Sequence, residues 1–255
     1  MAIFPAFPLT SVEMLRSMYD RFVFVRDLLE RTGACLSIPL SSVIKQMERS
    51  SVERSSIPGH MGEADWIRGK GVDLAVMLAI YRVFQWIYGT AAVPVLVGGD
   101  SVGLLVGMAA TRALSLEDAL GVLAVWHRIA SEASQGRRLV RLESRGCPVR
   151  EVEGTVEEVD GAEIFRIRSD DEVSVVGDPE SLNEIAMRIR SRRRDATTRL
   201  LDRTRLLPFH SALCKESMRD AEEALAAMDV MAPESDIIST SVPLHRLRTA
   251  GDVWY

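Results

Sequence analysis

Gly99-Asp-Ser101-Val-Gly103 fits G-x-S-x-G, the pattern of a strand-to-helix turn that lifts a serine hydroxyl to the top of an α/β sheet. An unassisted serine hydroxyl is a weak nucleophile, so such a site needs an adjacent base and N–H donors aimed at the oxyanion that forms on attack. Ser101 is therefore the candidate nucleophile, and the backbone N–H of Val102 is the natural first oxyanion donor. Three cysteines (Cys35, Cys147, Cys214) are an odd, scattered set without C-x-x-C spacing, so neither a disulfide framework nor a zinc site is suggested and no metal is expected.

The elements that must hold Ser101 are legible around it. An apolar, largely β-branched run at 93–97 has the character of a parallel strand buried on both faces, and 104–112 continue as a helix. Upstream, Thr10-Ser11 caps a helix expected over 12–31 with Gly33 as its stop. Residues 47–62 are Ser-rich, end in Pro-Gly and read as a loop, and a longer helical pattern covers 63–88. Ser115-Leu-Glu-Asp118 resembles a capping box and starts a helix to about 132, which carries Trp126, His127 and Arg128. Helix, strand, turn and helix in this order give an α/β sheet with its site at the carboxyl end of a strand.

From 136 to about 206 the period falls to two. Strands are expected at 139–142, 154–159, 163–167 and 173–176, with Asp160-Gly161 as a hairpin signal. Asp178-Pro179 then opens a helix as N-cap and N1, with Leu182, Ile185, Ala186 and Ile189 on one face. That helix ends in Arg188, Arg190, Arg192, Arg193 and Arg194, a basic cluster that the macrodipole favours at a helix C-terminus and that an acidic partner could also use. A further helix is expected beyond His210, and 237–240 form a short strand candidate.

Composition bounds the partners. The chain has 255 residues, 47% hydrophobic, with 31 Lys+Arg against 36 Asp+Glu and a net charge of -5. That balance argues against a general nucleic-acid binder or a basic membrane-surface protein. The N-terminus lacks the basic start and unbroken apolar core of an export signal. Apolar stretches look too short to span a bilayer, so a soluble protein in a reducing cytoplasm is expected.

With Gly-Asp-Ser101-Val-Gly and Pro-Phe-His210-Ser-Ala-Leu both in place, the chain resembles the malonyl-CoA:acyl carrier protein transacylases and the acyltransferase domains of polyketide synthases, as a divergent member. Ile80-Tyr-Arg-Val-Phe84, Leu116-Glu-Asp-Ala-Leu120, Val175-Val-Gly-Asp178 and Ile237-Ile-Ser-Thr240 match the family's landmarks in order, over about residues 60–245. The resemblance implies a hydrolase-like α/β large subdomain with a parallel sheet, here 1–135 and 207–255, and an inserted ferredoxin-like α+β small subdomain, 136–206. It implies Ser101 as nucleophile and His210 as general base, oriented by a backbone carbonyl near 237–240. No bound cofactor is implied; acyl-CoA and the phosphopantetheine of an acyl carrier protein are the substrates.

Several residues depart from the family pattern. Phe4-Pro5 is followed by Ala6-Phe7-Pro8 where the family has a glycine–glutamine segment that helps build the oxyanion hole. Asp100 stands for the usual histidine before the serine, and Leu104 for the usual acidic residue after the second glycine. Trp126 falls where the family carries the arginine that pairs with a malonyl carboxylate. Arg128, about 200° further round the helix, is no simple substitute. A buried carboxylate without a partner is costly, so malonyl is disfavoured, and Trp126 with Phe209 suggests an apolar pocket for an uncharged acyl group.

The expected activity is acyl transfer from CoA or a carrier protein to an acyl carrier protein, in polyketide or fatty-acid biosynthesis, freestanding or within a larger synthase. Arg190, Arg192, Arg193 and Arg194 are the expected docking residues for the carrier. Two alternatives stay open: a thioester hydrolase that clears stalled chains, or a docking module with a decayed site. Family members usually run several tens of residues past Trp254-Tyr255, so the chain is read as a fragment or as a shortened member.

Overall fold

The computed structural model describes residues 2–4, 12–39, 41–42, 63–89, 96–201, 207, 214–215, 226–239 and 245–247. They fall into two compact units, the first drawn from residues up to 124 and from 225 onward, the second from 125–224.

The first unit holds a four-stranded sheet of β1 (Ala2–Phe4), β2 (Leu96–Gly99), β7 (Asp236–Ser239) and β8 (His245–Leu247), in that order. β1, β2 and β7 run parallel and β8 antiparallel. The register sets Phe4 and Ser239 on either side of Gly99, so the end of each neighbouring strand flanks the serine turn. Around the sheet lie α1 (Val12–Arg21), α2 (Val23–Cys35), α3 (Glu63–Tyr88) and α4 (Val102–Ala110).

Two expectations change here. The helix expected over 12–31 is broken at Phe22, whose extended backbone (φ -116°, ψ 112°) ends α1, and α2 then runs through Gly33 to Cys35. Local periodicity is continuous across the break; it is long-range packing that uses it, with the Phe22 ring 5.2 Å from that of Trp86. The second concerns α3, whose residues 64–88 are long and apolar enough, by length and composition, to cross a bilayer. Val72, Leu74, Ala75, Val76, Met77, Leu78, Ala79 and Tyr81 are all buried, the all-round pattern of a core helix. Gly71 permits close approach, because a Cβ there would sit 2.8 Å from Leu36 and 2.9 Å from Leu120.

The second unit has the order β3 (Val140–Arg145), α6 (Val149–Glu157), β4 (Ala162–Ser169), β5 (Glu172–Gly177), α7 (Pro179–Arg192), β6 (Thr197–Leu201). Its antiparallel sheet is ordered β4-β5-β3-β6, with the two helices as crossovers, which is the ferredoxin-like βαββαβ arrangement the resemblance implied. Val140, Leu142, Val152, Val173, Val175, Leu182, Ile185 and Ile189 form its core. Helix α5 (Leu116–Ala133) begins at Ser115, whose Oγ accepts from the Asp118 N–H at 2.9 Å, as the capping pattern required.

The strand expected at 154–159 is an error, since that segment belongs largely to α6. Val152, Thr155 and Val156 are buried on one face at helical spacing, and the Thr155 hydroxyl donates to the Glu151 carbonyl at 2.7 Å. The β-branching of Thr155 and Val156 gives a false strand signal that tertiary burial overrides. Consequently Asp160-Gly161 is no hairpin; it turns α6 into β4 with Gly161 at φ 83°, and the hairpin lies between β4 and β5 at 170–171. β6 had no sequence signal strong enough to be read. Residues 43–62, 93–95 and most of the segment 208–225 lie outside the described residues.

Two tests follow from this packing. Leu142, fully buried between β5 and β6, should cost ~2–5 kcal/mol as Leu142→Ala in urea denaturation. Asp178 caps α7, accepting from the N–H groups of Glu180 (3.1 Å) and Ser181 (2.9 Å). Burial pushes its carboxyl up, but these bonds and the Ser181 hydroxyl outweigh burial and hold it below the ordinary carboxylate value. Its contribution is therefore complete above the unfolded value and is lost as pH falls through the lower folded one. Asp178→Ala should cost ~1 kcal/mol at neutral pH, with the difference from wild type vanishing in strong acid.

Candidate active site

The serine turn is forced by backbone crowding. β2 ends at Gly99 and α4 begins at Val102, which leaves two residues to reverse direction. A Cβ at Gly99 would lie 2.3 Å from the Gly103 carbonyl and 2.5 Å from the Leu104 nitrogen, so the strand end and the first helical turn touch backbone to backbone. Ser101 absorbs the reversal at φ 56°, ψ -118°, a region L-residues avoid and which costs ~1–3 kcal/mol. The hydrogen bonds that hold the loop include Asp100 N–H to the Phe4 carbonyl (3.4 Å), Gly103 N–H to the Asp100 carbonyl and Leu104 N–H to the Ser101 carbonyl (both 2.9 Å).

Ser101 is half-buried at the N-terminal end of α4, where the amides of the first turn and the macrodipole favour negative charge. Among the described residues the Val102 N–H meets no acceptor, which suits an oxyanion donor. Asp100, Ser101, Val102 and Leu104 are thus brought together on one turn. Asp100 and Leu104 are half-buried and Val102 is buried.

The other candidates lie outside that turn in the chain. Trp126 is half-buried on the part of α5 that belongs to the second unit, and Arg128 is exposed there. Phe209 and His210 lie outside the described residues, as do residues 5–11 that follow β1. His127, to which the sequence assigns no role, is buried one helical turn from Ser131, with its Nδ1 3.3 Å from the Ser131 hydroxyl. Only the i, i+4 spacing could have signalled that pair. Among the described residues no group of His, Cys, Asp and Glu could hold a metal ion.

The arginine cluster is partly spent within the second unit. Arg192 donates to Glu158 and to the Thr155 hydroxyl, Arg193 to Glu151, and Arg188 to Glu158 and Glu184. These bonds hold the Glu151 and Glu158 carboxyls below the ordinary value, with Arg193 and Arg192 respectively as the main cause. Arg190 donates only to the Thr198 carbonyl, and Arg194 has no carboxylate partner among the described residues.

The turn's strain is measurable. Ser101→Gly relieves φ 56° but adds glycine's backbone entropy, so a net gain of ~1 kcal/mol, a rise of ~2–4 °C in Tm, is expected with the hydroxyl gone. Gly99→Ala should destabilise by ~1–3 kcal/mol or more in the same melt, since no flexible side chain can yield.

No protein-family profile and no curated protein matches the chain in sequence. Solved structures do match it in fold. An acyl-carrier-protein S-malonyltransferase from Burkholderia pseudomallei superposes with TM-score 0.78 at 21% identity, covering 99% of this chain and 78% of its own. The MCAT of Streptococcus pneumoniae gives 0.76 at 18%, over 98% and 77%. A malonyl-transacylase solved in complex with a type II polyketide synthase acyl-carrier protein gives 0.79 at 17%, over 99% and 77%. With the strained serine turn and the ferredoxin-like second unit, these likenesses show that the chain has the fold of the malonyl-CoA:acyl carrier protein transacylases.

Proposed function

We propose that the chain is an acyltransferase that moves an acyl group from coenzyme A, or from one carrier protein, to an acyl carrier protein through an acyl-Ser101 intermediate. The observation that carries this reading is the Ser101 turn, strained at the N-terminus of α4 in a chain with the transacylase fold. His210, from the Pro-Phe-His segment, is the proposed base. It takes the Ser101 proton as Oγ bonds to the thioester carbon, and the carbonyl π pair becomes an oxyanion held by the Val102 N–H. Collapse breaks the C–S bond and the departing thiolate takes the proton from His210. The phosphopantetheine thiol of the carrier then enters by the reverse sequence and releases Ser101.

The acyl group is proposed to be uncharged. Trp126 stands in place of the family arginine and offers no cation, and the Asp100 carboxylate beside Ser101 opposes a second negative charge. Phe209 would limit bulk beside the acyl α-carbon. The proposed setting is polyketide or fatty-acid biosynthesis in the cytoplasm, alone or within a larger synthase. The carrier's acidic surface is proposed to meet Arg190 and Arg194, because Arg192 and Arg193 are committed to Glu158 and Glu151.

Intact-mass spectrometry after exposure to acetyl-, longer acyl- and malonyl-CoA tests this. Acetyl or longer acyl adducts are expected on wild type, none from malonyl-CoA and none on Ser101→Ala. No adduct on wild type, or one that persists in Ser101→Ala, overturns the reading. Adding carrier protein should move the group onto the carrier; free acid in its place would mark a thioester hydrolase. Arg190→Glu with Arg194→Glu should raise KM for the carrier by roughly tenfold, equivalent to about 1.4 kcal/mol, and leave acylation by acyl-CoA unchanged.

A further inference from the structure

The first unit contains a cavity of about 630 Å³ at the opposite end of α4 from Ser101, ~13 Å along the helix by its nine residues. Its walls are in larger part apolar, with Phe24, Leu28, Leu78 and Trp86 from α2 and α3, and the size suits a small organic ligand. Three arginines also reach it: Arg31, Arg82 and Arg112. Arg31 is answered in full by a bidentate pair with Glu117 and by Asp27.

Arg82 is different. It is half-buried, and among the described residues its guanidinium donates only to the neutral Gln85 Oε1, at 3.2 Å. Burial, then the nearby Arg112 charge, push its pKa down; the Tyr81 phenol and then Glu234 act in return, and Glu234 is the one carboxylate that does so among the described residues. Glu234 is already paired with Arg112 at 3.0 Å, so one carboxylate serves two guanidinium groups. Asp229 on the rim is exposed to water, and Asp118 takes its hydrogen bond from the Ser115 hydroxyl. Arg112 itself holds a left-handed backbone (φ 60°) just past the end of α4, a position that favours glycine. A half-buried cation short of a counter-charge, beside a second cation kept at a backbone cost, is what an anion site looks like before its ligand arrives.

We propose that this cavity binds an amphipathic organic anion, its acidic head on Arg82 with Arg112 beside it and its apolar chain along Phe24, Leu28, Leu78 and Trp86. The head is a carboxylate or a phosphate monoester, both of which accept from the guanidinium fork. This site does not depend on the chemistry at Ser101.

Equilibrium dialysis with decanoate, decyl phosphate and the neutral control decanol tests the site, with Ser101→Ala as the protein so that no covalent adduct forms. Saturable binding of one or both anions is expected, tighter than decanol by roughly tenfold or more, and the better anion names the head group. Arg82→Met and Arg112→Gly should each weaken anion binding several-fold and leave decanol unchanged. Arg112→Gly relieves the backbone and should fold, so the test survives if Arg82→Met does not. Without ligand, Arg82→Met should melt at or above the parent temperature, because a desolvated charge has been removed. Anions that bind no better than decanol, or binding that neither variant weakens, would overturn the proposal.

Discussion

The first unit depends on a backbone contact in which no side chain takes part. Where β2 meets α4, the Gly99 α-carbon lies so close to the Gly103 carbonyl and Leu104 nitrogen that a single methyl group has no room. Given that contact, the chain can reverse only if the residue between takes a left-handed conformation, and Ser101 takes it. The cost is carried by the parallel sheet on both sides: β1 and β7 pin β2, and the Phe4 carbonyl receives the Asp100 N–H. The strain at Ser101 and its place beside the first amides of α4 are one geometric fact seen two ways.

The second unit solves a separate problem. Its βαββαβ order lets the segment from Val140 to Leu201 close a four-stranded sheet against two helices around Leu142, Val175 and Ile185. Its surface is tied by arginine–glutamate pairs that link α6 to α7 and its C-cap, Arg192 to Glu158 and Arg193 to Glu151. Exposed pairs of this kind add little stability, but they decide which cations remain available to a partner. The arginine run at 188–194 reads as one basic patch in sequence, whereas among the described residues only Arg190 and Arg194 of that run are without a carboxylate.

What could be read from sequence follows from how local each signal is. The serine turn, the Asp178-Pro179 cap and the Ser115 cap were legible because neighbouring residues alone dictate them. So was the long apolar period of α3. The break at Phe22 was not, since it answers to Trp86 more than sixty residues away. The end of α6 reads as a strand from 154 because Thr155, Val156 and Val159 are β-branched, and burial against the sheet outweighs that preference. Arg82 carried no signal at all: a charged residue in a helix reads as solvated, and only the shared Glu234 shows it short of a counter-charge. The partners proposed for Ser101 rest on the resemblance, since His210 and Phe209 lie outside the described residues.

The central claim is that the Ser101 hydroxyl is the activated nucleophile of this fold. Labelling with a fluorophosphonate, which bonds covalently only to serines held beside a base and an oxyanion donor, followed by peptide mapping, tests it without assuming any acyl group. The expected result is one label per chain, on the peptide that carries Ser101, abolished by His210→Ala. Label on another serine, or a wild-type protein that stays unlabelled while folded, would contradict it.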